Sequence, residues 1–364
     1  LAKVNGVSHG TEEPTVLSEY GGWPSILRDL VDGVDLSVKA ARASLSSILR
    51  GEATDAQVAG FIIAIGMKGG SVPELTGMVE AMMEAAAPLV LPAGAIDIVG
   101  SGGAPARSKN ALNVSTMSCF VAAAAGAAVC KHGSVAASSS SGSFDLLGEL
   151  GINIEANGDE VARCVAQTGI GFAFAKAFHP SMRHVGPVRS ELGVPTTFNF
   201  LGPLSHPGGV KRQVIGVSDP AMAPRVAAVL AARNSQHALV VHGADRLDEI
   251  TTTDFTRIYE VREGQLIKDY EFDPRSVGIQ LVNRADLVGG GPSENSEIMQ
   301  RLFTGEDKGP RSDIIALNAA AGLMVAGLVD NFSDGVELSR EVMVDGSANS
   351  KVLQVQAFTA SIRD

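Results

Sequence analysis

Four stretches carry residue types that could do chemistry. In VGSGGAPARSKNALNVST, Gly100, Gly102 and Gly103 follow an apolar IDIV run and precede an apolar helical run. A strand feeding a glycine-rich turn that opens a helix lets backbone N–H groups face an anion, with the helix dipole behind them. Ser115 and Thr116 add hydroxyls, and Ser115 could also touch a metal. The same pattern suits a strand–helix connection whose glycines serve geometry alone; neither GxxxxGK[ST] nor GxGxxG is present. In VCKHGSVAASSSSGS, Lys131 and His132 stand just past a strand end before a serine-rich turn, suited to phosphate or to solvent. In VVHGADRLDEITTT, Asp248 and Glu249 are adjacent past another strand end, a pair that suits Mg²⁺ completed by substrate phosphates or that is an ordinary acidic loop. In FHPSMRHVGPVRSELG, His179, Arg183, His184 and Arg189 fall close together. Arg189 could hold a carboxylate through two bonds, or simply make surface ion pairs.

The elements that must position these residues follow from the apolar spacing. Residues 23–88 read as four helices, with a Thr54-Asp55 cap, a Ser71 start and glycine stops at 33, 51 and 69–70. From AIDIVG onward strand and helix alternate, which predicts an α/β fold with a mostly parallel central sheet. AIDIVG, AAVCKHG, INIE, RQVIGVS and HALVVHG read as strands, and IYEVREGQLIKDYEFDP as a hairpin turning at Glu263-Gly264. The helical readings are STMSCFVAAAAGA, SGSFDLLGELG, APRVAAVLAARN, NSEIMQRLFTG, SDIIALNAAAGLMVAG and NSKVLQVQAFTASIR. HPSMRHVGPVRSELG is helical but irregular, closer in character to the first unit.

Composition narrows the function. The 364 residues are 45% hydrophobic and only 5% aromatic, which suits tightly packed α/β layers. A net charge of −11 without any Lys/Arg run argues against a nucleic-acid partner. It does not exclude an anionic small molecule held by backbone N–H groups. No apolar run approaches the roughly 20 residues of a membrane span. The polar start LAKVNGVSHGTEEPT reads as a loose tail over 1–17 and not as a secretory signal. Cys119, Cys130 and Cys164 lack paired spacing and read as buried free thiols in a reducing cytoplasm.

Taken in order, the stretches GSGGA, NALNVST, KHGS, RHVGPVR and LDE resemble the anthranilate phosphoribosyltransferases, of the nucleoside-phosphorylase-like class III glycosyltransferase family. ILRGEATDAQVAGFIIAIGMKG and VPTTFNFLGPLSHPG extend the resemblance, which runs from Trp23 to the C-terminus. It implies a small helical domain over 18–90, joined by 177–200, and a large α/β domain over 91–176 and 201–364, with a cleft at the hinge. It implies phosphoribosyl pyrophosphate (PRPP) as donor, bound with two Mg²⁺ ions, an aromatic amine bearing a carboxylate as acceptor, and a homodimer through the helical domain.

Carried over by position, the resemblance gives Gly100, Gly102, Gly103, Asn113, Ser115, Thr116, Lys131, Ser138 and Ser139 to PRPP. Ser115, Asp248 and Glu249 go to the metal; Gly100, His132, Ser134, His179, Met182 and Arg189 go to the acceptor, with Lys131 and Arg189 catalytic. The chain departs from the pattern at Ala104, in the extra residues of APARSK, and at Ala111, Ser134, Val135 and Met182. Arg107 and Lys109 in the insertion would restore positive charge for the donor. The departures leave open a different acceptor, such as salicylate or another aminobenzoate. A pyrimidine-nucleoside phosphorylase and a non-catalytic nucleic-acid-binding relative remain as rivals on the same scaffold.

Overall fold

The computed structural model describes residues 16–102, 110–136 and 140–362. Helical apolar spacing produces helices up to residue 84: α1 (Gly22–Val31), α2 (Val38–Leu49), α3 (Asp55–Lys68) and α4 (Val72–Glu84). Thr54 caps α3 reciprocally: its Oγ1 accepts the Gln57 N–H at 3.3 Å, and Gln57 Oε1 accepts the Thr54 N–H at 2.9 Å. Trp23 meets Phe61 edge-on, ring centres 5.9 Å apart, and so ties α1 to α3. Leu17, read from sequence as tail, instead opens a 3-10 turn over Leu17–Tyr20 and is buried in the same core.

The period then shortens and the chain alternates. β1 (Ile96–Gly100), α5 (Val114–Ala124), β2 (Val129–Gly133), α6 (Ser143–Glu149), α7 (Gly158–Thr168), β3 (Ile170–Phe174) and α8 (Ala175–Phe178) follow. A 3-10 turn at Pro180–His184, α9 (Gly186–Leu192) and α10 (Phe198–Leu204) come next, and Val185, Val188, Phe198 and Leu201 share one core with Ile26, Leu45 and Phe61. Then come β4 (Arg212–Gly216), α11 (Ala223–Ala232), β5 (His237–Gly243), β6 (Thr256–Arg262) and β7 (Gln265–Phe272). The last four helices are α12 (Pro292–Phe303), α13 (Pro310–Ala326), α14 (Phe332–Val344) and α15 (Ser347–Ser361).

The sheet runs β3-β2-β1-β4-β5-β6-β7, parallel through β5 and antiparallel at β6 and β7. Glu263 and Gly264 both have positive φ, which closes the expected β6–β7 hairpin. Alternate strand residues feed opposite cores, as a sheet covered on both faces requires. Val214, Leu239 and Val241 pack with α5 and α13, whereas Ile215, Ala238 and Val240 pack with α11 and the first helices. From β1 the chain leads to β2 on one side, and from β4 to β5 on the other. The order therefore reverses between β1 and β4, where a crevice opens at the carboxyl ends of open parallel sheets.

INIE does not form the expected strand. Ile152 is buried, but its N–H goes to Leu147 O at 3.0 Å, closing the end of α6, and the Glu155 N–H goes to Asn153 Oδ1 at 3.0 Å, so both donors are spent locally and not on a ladder. The strand on that side is β3, IGFAF, reached through α7, and neither element was read from the sequence; nor was α14. The three cysteines are buried and unpaired, and burial pushes the Cys119 thiol up to about 12. Among the described residues no helix is long and apolar enough to cross a membrane.

Candidate active site

The strand ends at the switch point converge on Asp248. Gly100 and Gly216 lie side by side in register on β1 and β4. A Cβ on Gly216 would overlap the Asp248 carbonyl oxygen, and one on Gly100 would overlap its carboxylate. These glycines are therefore required by the close approach of Asp248. Beyond the strand, the Gly102 N–H donates to Asp248 Oδ2 at 2.8 Å. Ser101 N–H reaches Gly216 O at 2.8 Å, and Ser218 Oγ donates to Gly102 O at 3.3 Å, so the first glycine turn is stitched to the loop after β4. Asp248 and Glu249 are both buried, at 2% and 6% exposure.

Opposite them α5 begins at Val114, with Asn113 as its cap residue, Ser115 half-buried and Thr116 buried. The Thr116 hydroxyl has no hydrogen-bond partner, which is costly for a buried polar group unless a ligand supplies one. Lys131 is only 1% exposed; its ammonium donates to Ile98 O at 2.7 Å and to Ser115 Oγ at 3.2 Å. Because Ser115 Oγ accepts from an ammonium, its own proton is turned toward whatever sits at the helix start, and the lysine charge is transmitted through it. Beneath lies Asp97, fully buried, its carboxyl pushed up to about 7 by burial against the opposing pull of Lys131. Asp97 Oδ1 accepts the His132 N–H at 3.2 Å. The sequence reading missed Asp97, which sits in the IDIV run as its single polar residue.

A second group of polar residues gathers around α10. His132 Nδ1 lies 3.2 Å from Gly202 O; a carbonyl only accepts, so Nδ1 carries the proton. Burial, with His206 and His179 nearby, holds His132 well below its ordinary value, so the imidazole is neutral and Nε2 is a bare acceptor. Nε2 is buried and has no partner. The His179 ring centre lies 5.3 Å from that of His132, and His206 at 5.6 Å, the latter a neighbour the sequence did not flag. Arg189 donates to Asn199 Oδ1 at 2.7 Å and lies over the Phe198 ring. No carboxylate among the described residues pairs with Arg189, and burial lowers its pKa. One helix, α10, thus holds both His132 and Arg189.

Not every expected residue joins these groups. Met182 packs against the core of the first helices, and Ser134 is exposed, its carbonyl accepting from Ser143 Oγ at 3.2 Å. Asn113 is bound away from open space: its Oδ1 accepts from Ser141 Oγ at 2.9 Å and from Asn295 Nδ2 at 2.7 Å. Gly103, Arg107, Lys109, Ser138 and Ser139 lie outside the described residues.

The donor set fits Mg²⁺. Asp248, Glu249 and Ser115 offer hard oxygens, and among the described residues no cluster of three or more His, Cys, Asp or Glu could hold an ion alone. An ion here needs water and phosphate oxygens to complete its shell, which is magnesium's habit.

Residues 24–86 match the helical bundle domain of a glycosyl transferase family, and residues 93–349 match the a/b domain of that family. The anthranilate phosphoribosyltransferase of Acetivibrio thermocellus is 42% identical over 334 residues, covering 91% of this chain and 95% of its own. The crystal structure of the Thermus thermophilus anthranilate phosphoribosyltransferase superposes with a TM-score of 0.86 at 39% identity, covering 92% of this chain and 99% of its own. That of the Saccharomyces cerevisiae enzyme, in complex with PRPP and Mg, superposes at 0.84 and 27% identity, covering 93% and 98%. With a helical bundle, a mostly parallel sheet and this crevice between them, the chain belongs to the anthranilate phosphoribosyltransferases of the glycosyl transferase family.

Proposed function

We propose that this chain transfers the 5-phosphoribosyl group of PRPP to the amine of anthranilate, releasing pyrophosphate, in tryptophan biosynthesis. The observation that carries the reading is the two-sided crevice. On one side Asp248, Glu249, Ser115 and the start of α5 suit a metal-bound diphosphate; on the other Arg189 lacks an acid partner among the described residues and His132 offers a bare Nε2.

Asp248, Glu249 and Ser115 would hold Mg²⁺, as two ions, whose charge offsets that on the departing pyrophosphate. Ser115 and Thr116 hydroxyls and the N–H groups at the start of α5 bind the diphosphate, with Lys131 reinforcing Ser115. Gly103, Ser138 and Ser139 complete that side by the sequence match, and Arg107 and Lys109, in the inserted residues, add positive charge for the donor phosphates. The C1–O bond breaks with its electrons passing to pyrophosphate, and the amine lone pair forms the new C1–N bond. Arg189 fixes the acceptor carboxylate, and His132 Nε2 accepts the hydrogen bond of the amine N–H; as the C1–N bond forms, the amine proton passes by way of solvent to the released pyrophosphate. No covalent enzyme intermediate is needed; positioning and charge stabilisation supply the rate.

The helical unit and the α/β unit act as two domains about the crevice, and two chains pair through the helical unit, where Val31 and Met67 are 79% and 85% exposed. The protein works in the cytoplasm.

The test is to mix the protein with PRPP, Mg²⁺ and anthranilate, following pyrophosphate release and the loss of anthranilate fluorescence. Turnover that stops on adding EDTA is expected. Binding of PRPP without turnover would overturn the acceptor assignment, and absence of PRPP binding would overturn the activity altogether.

A further inference from the structure

We propose that Asn295 on α12 and Asn318 on α13 are positioning residues that set the donor-binding half of the crevice from behind; the inference rests on the reading above. Asparagine is a poor helix-interior residue, and burying its amide is unfavourable unless every polar atom is bonded. Both are nonetheless buried, at 0% and 3% exposure, and both amides are bonded at the oxygen and at the nitrogen.

Asn318 grips the residue that follows the acidic pair. Its Oδ1 accepts the Ile250 N–H at 3.0 Å and its Nδ2 donates to Ile250 O at 2.9 Å, with a further bond to Ile314 O in its own helix at 2.9 Å. One side chain thus fixes both backbone groups of Ile250 and, through them, the direction in which Asp248 and Glu249 leave the sheet.

Asn295 does the same for the other arm. Its Nδ2 donates to Asn113 Oδ1 at 2.7 Å and to Ala111 O at 2.9 Å, and its Oδ1 accepts the Gly290 N–H at 2.9 Å. Ser141 Oγ donates to the same Asn113 oxygen, and Ser140 Oγ donates to Gly290 O at 3.1 Å. The entry to α5 and the turn before α6 therefore share one buried hub. A leucine would fill either position in a packed core. Only a planar amide can pair with backbone in this way, and the partners are the neighbours of the proposed donor contacts in both cases.

The experiment compares Asn318→Asp, Asn318→Ser, Asn295→Asp and Asn295→Ser with the wild type. Thermal unfolding is recorded first, then Mn²⁺ binding by electron paramagnetic resonance, PRPP binding by calorimetry, and Michaelis constants for both substrates. The serine variants remain available where a buried carboxylate prevents folding. The Asn318 variants are expected to weaken Mn²⁺ binding about tenfold or more, and the Asn295 variants to weaken PRPP binding by a similar factor, with the anthranilate constant unchanged in both. Folded variants that keep wild-type Mn²⁺ and PRPP affinities, or that change both substrates' constants alike, would overturn the positioning role. A wild type that binds no PRPP would overturn the underlying reading as well, whereas a normal wild type with unaffected variants would overturn this inference alone.

Discussion

The backbone N–H of Gly102 and the Oδ2 of Asp248 are 2.8 Å apart, joining residues separated by 146 positions. This bond crosses the point where the strand order reverses. It fixes one oxygen of a buried carboxylate, and it draws the loop after β1 against the loop after β5. Two arms of the candidate site are thus set by a single contact, made possible because β1 and β4 both end in glycine.

Gly216→Ala should therefore damage the site out of proportion to its size. The added methyl would overlap the Asp248 carbonyl, so the residue must move outward. A misplacement of about 1 Å costs on the order of 100-fold in kcat/KM. The expected result is such a loss with far-UV circular dichroism unchanged. Near-normal kinetics would mean that the position of Asp248 does not govern the rate.

Arg189→Lys separates the two sides of the crevice. Lysine keeps the charge but loses the planar fork that holds a carboxylate in two bonds, and it would also lose the contact with Asn199. The loss of a charge-assisted hydrogen bond corresponds to a rise of about 10- to 100-fold in the anthranilate constant. The PRPP constant should not change, and steady-state titration of each substrate reads the difference. A variant that raises both constants equally would place Arg189 outside the acceptor side.

How much of this was legible in sequence depends on how local each feature is. Strand ends with glycine, the cap at Thr54, the helix start at Ser71 and the Glu263-Gly264 turn are written in a few adjacent residues, and the structure has them. At Ser71 it is the Glu74 carboxylate, accepting the Ser71 N–H at 2.7 Å, that closes the helix start, and not the Ser71 hydroxyl. Ile152 shows the opposite case: its apolar run suggested a strand, but its N–H was already committed to the end of α6. Asp97, Asn295 and Asn318 gave little signal, because one polar residue in an apolar strand or helix looks alike whether it faces solvent or a partner far along the chain. Their meaning comes from residues 35 to 184 positions away: the His132 N–H, Ile250 and Ala111. Of the residues expected at the acceptor, His132, His179 and Arg189 gather near α10, whereas Met182 packs half-buried against the helical core.

The buried histidines set an acid limit. Burial lowers His206 to about 4, and His132 and His179 shift in the same direction, also through burial, with Lys131 opposing protonation of His206 and His132, and His206 bonded to Cys130 O. In the unfolded chain these imidazoles titrate near 6.5. Since the folded values are lower, the unfolded state binds more protons below 6.5, and stability falls as pH drops. For His206 the decline is about 1.4 kcal/mol per pH unit until roughly pH 4. His206→Asn should therefore flatten the fall in Tm between pH 6.5 and 4.5. An unchanged slope in thermal unfolding would show that this imidazole is not responsible.

Glu260 gives a pH dependence of its own, at the antiparallel side of the sheet and away from the crevice. Its Oε1 accepts from His237 Nε2 at 3.0 Å and from Arg262 Nε at 2.7 Å. The bond to His237 first, then that to Arg262, holds the carboxyl down at about 2, against burial, which raises it. A carboxyl depressed in the folded state stabilises fully above its unfolded value near 4.5, and that contribution is lost as pH falls from there toward 2. Because Arg262 is half exposed, solvent screening reduces the gain. Glu260→Gln should cost about 2 kcal/mol at pH 7, and the gap to wild type should close on acidification below pH 4. Urea unfolding at pH 7 and at pH 3.5 measures both differences. A gap of equal size at the two pH values would mean that Glu260 contributes through packing and not through its charge.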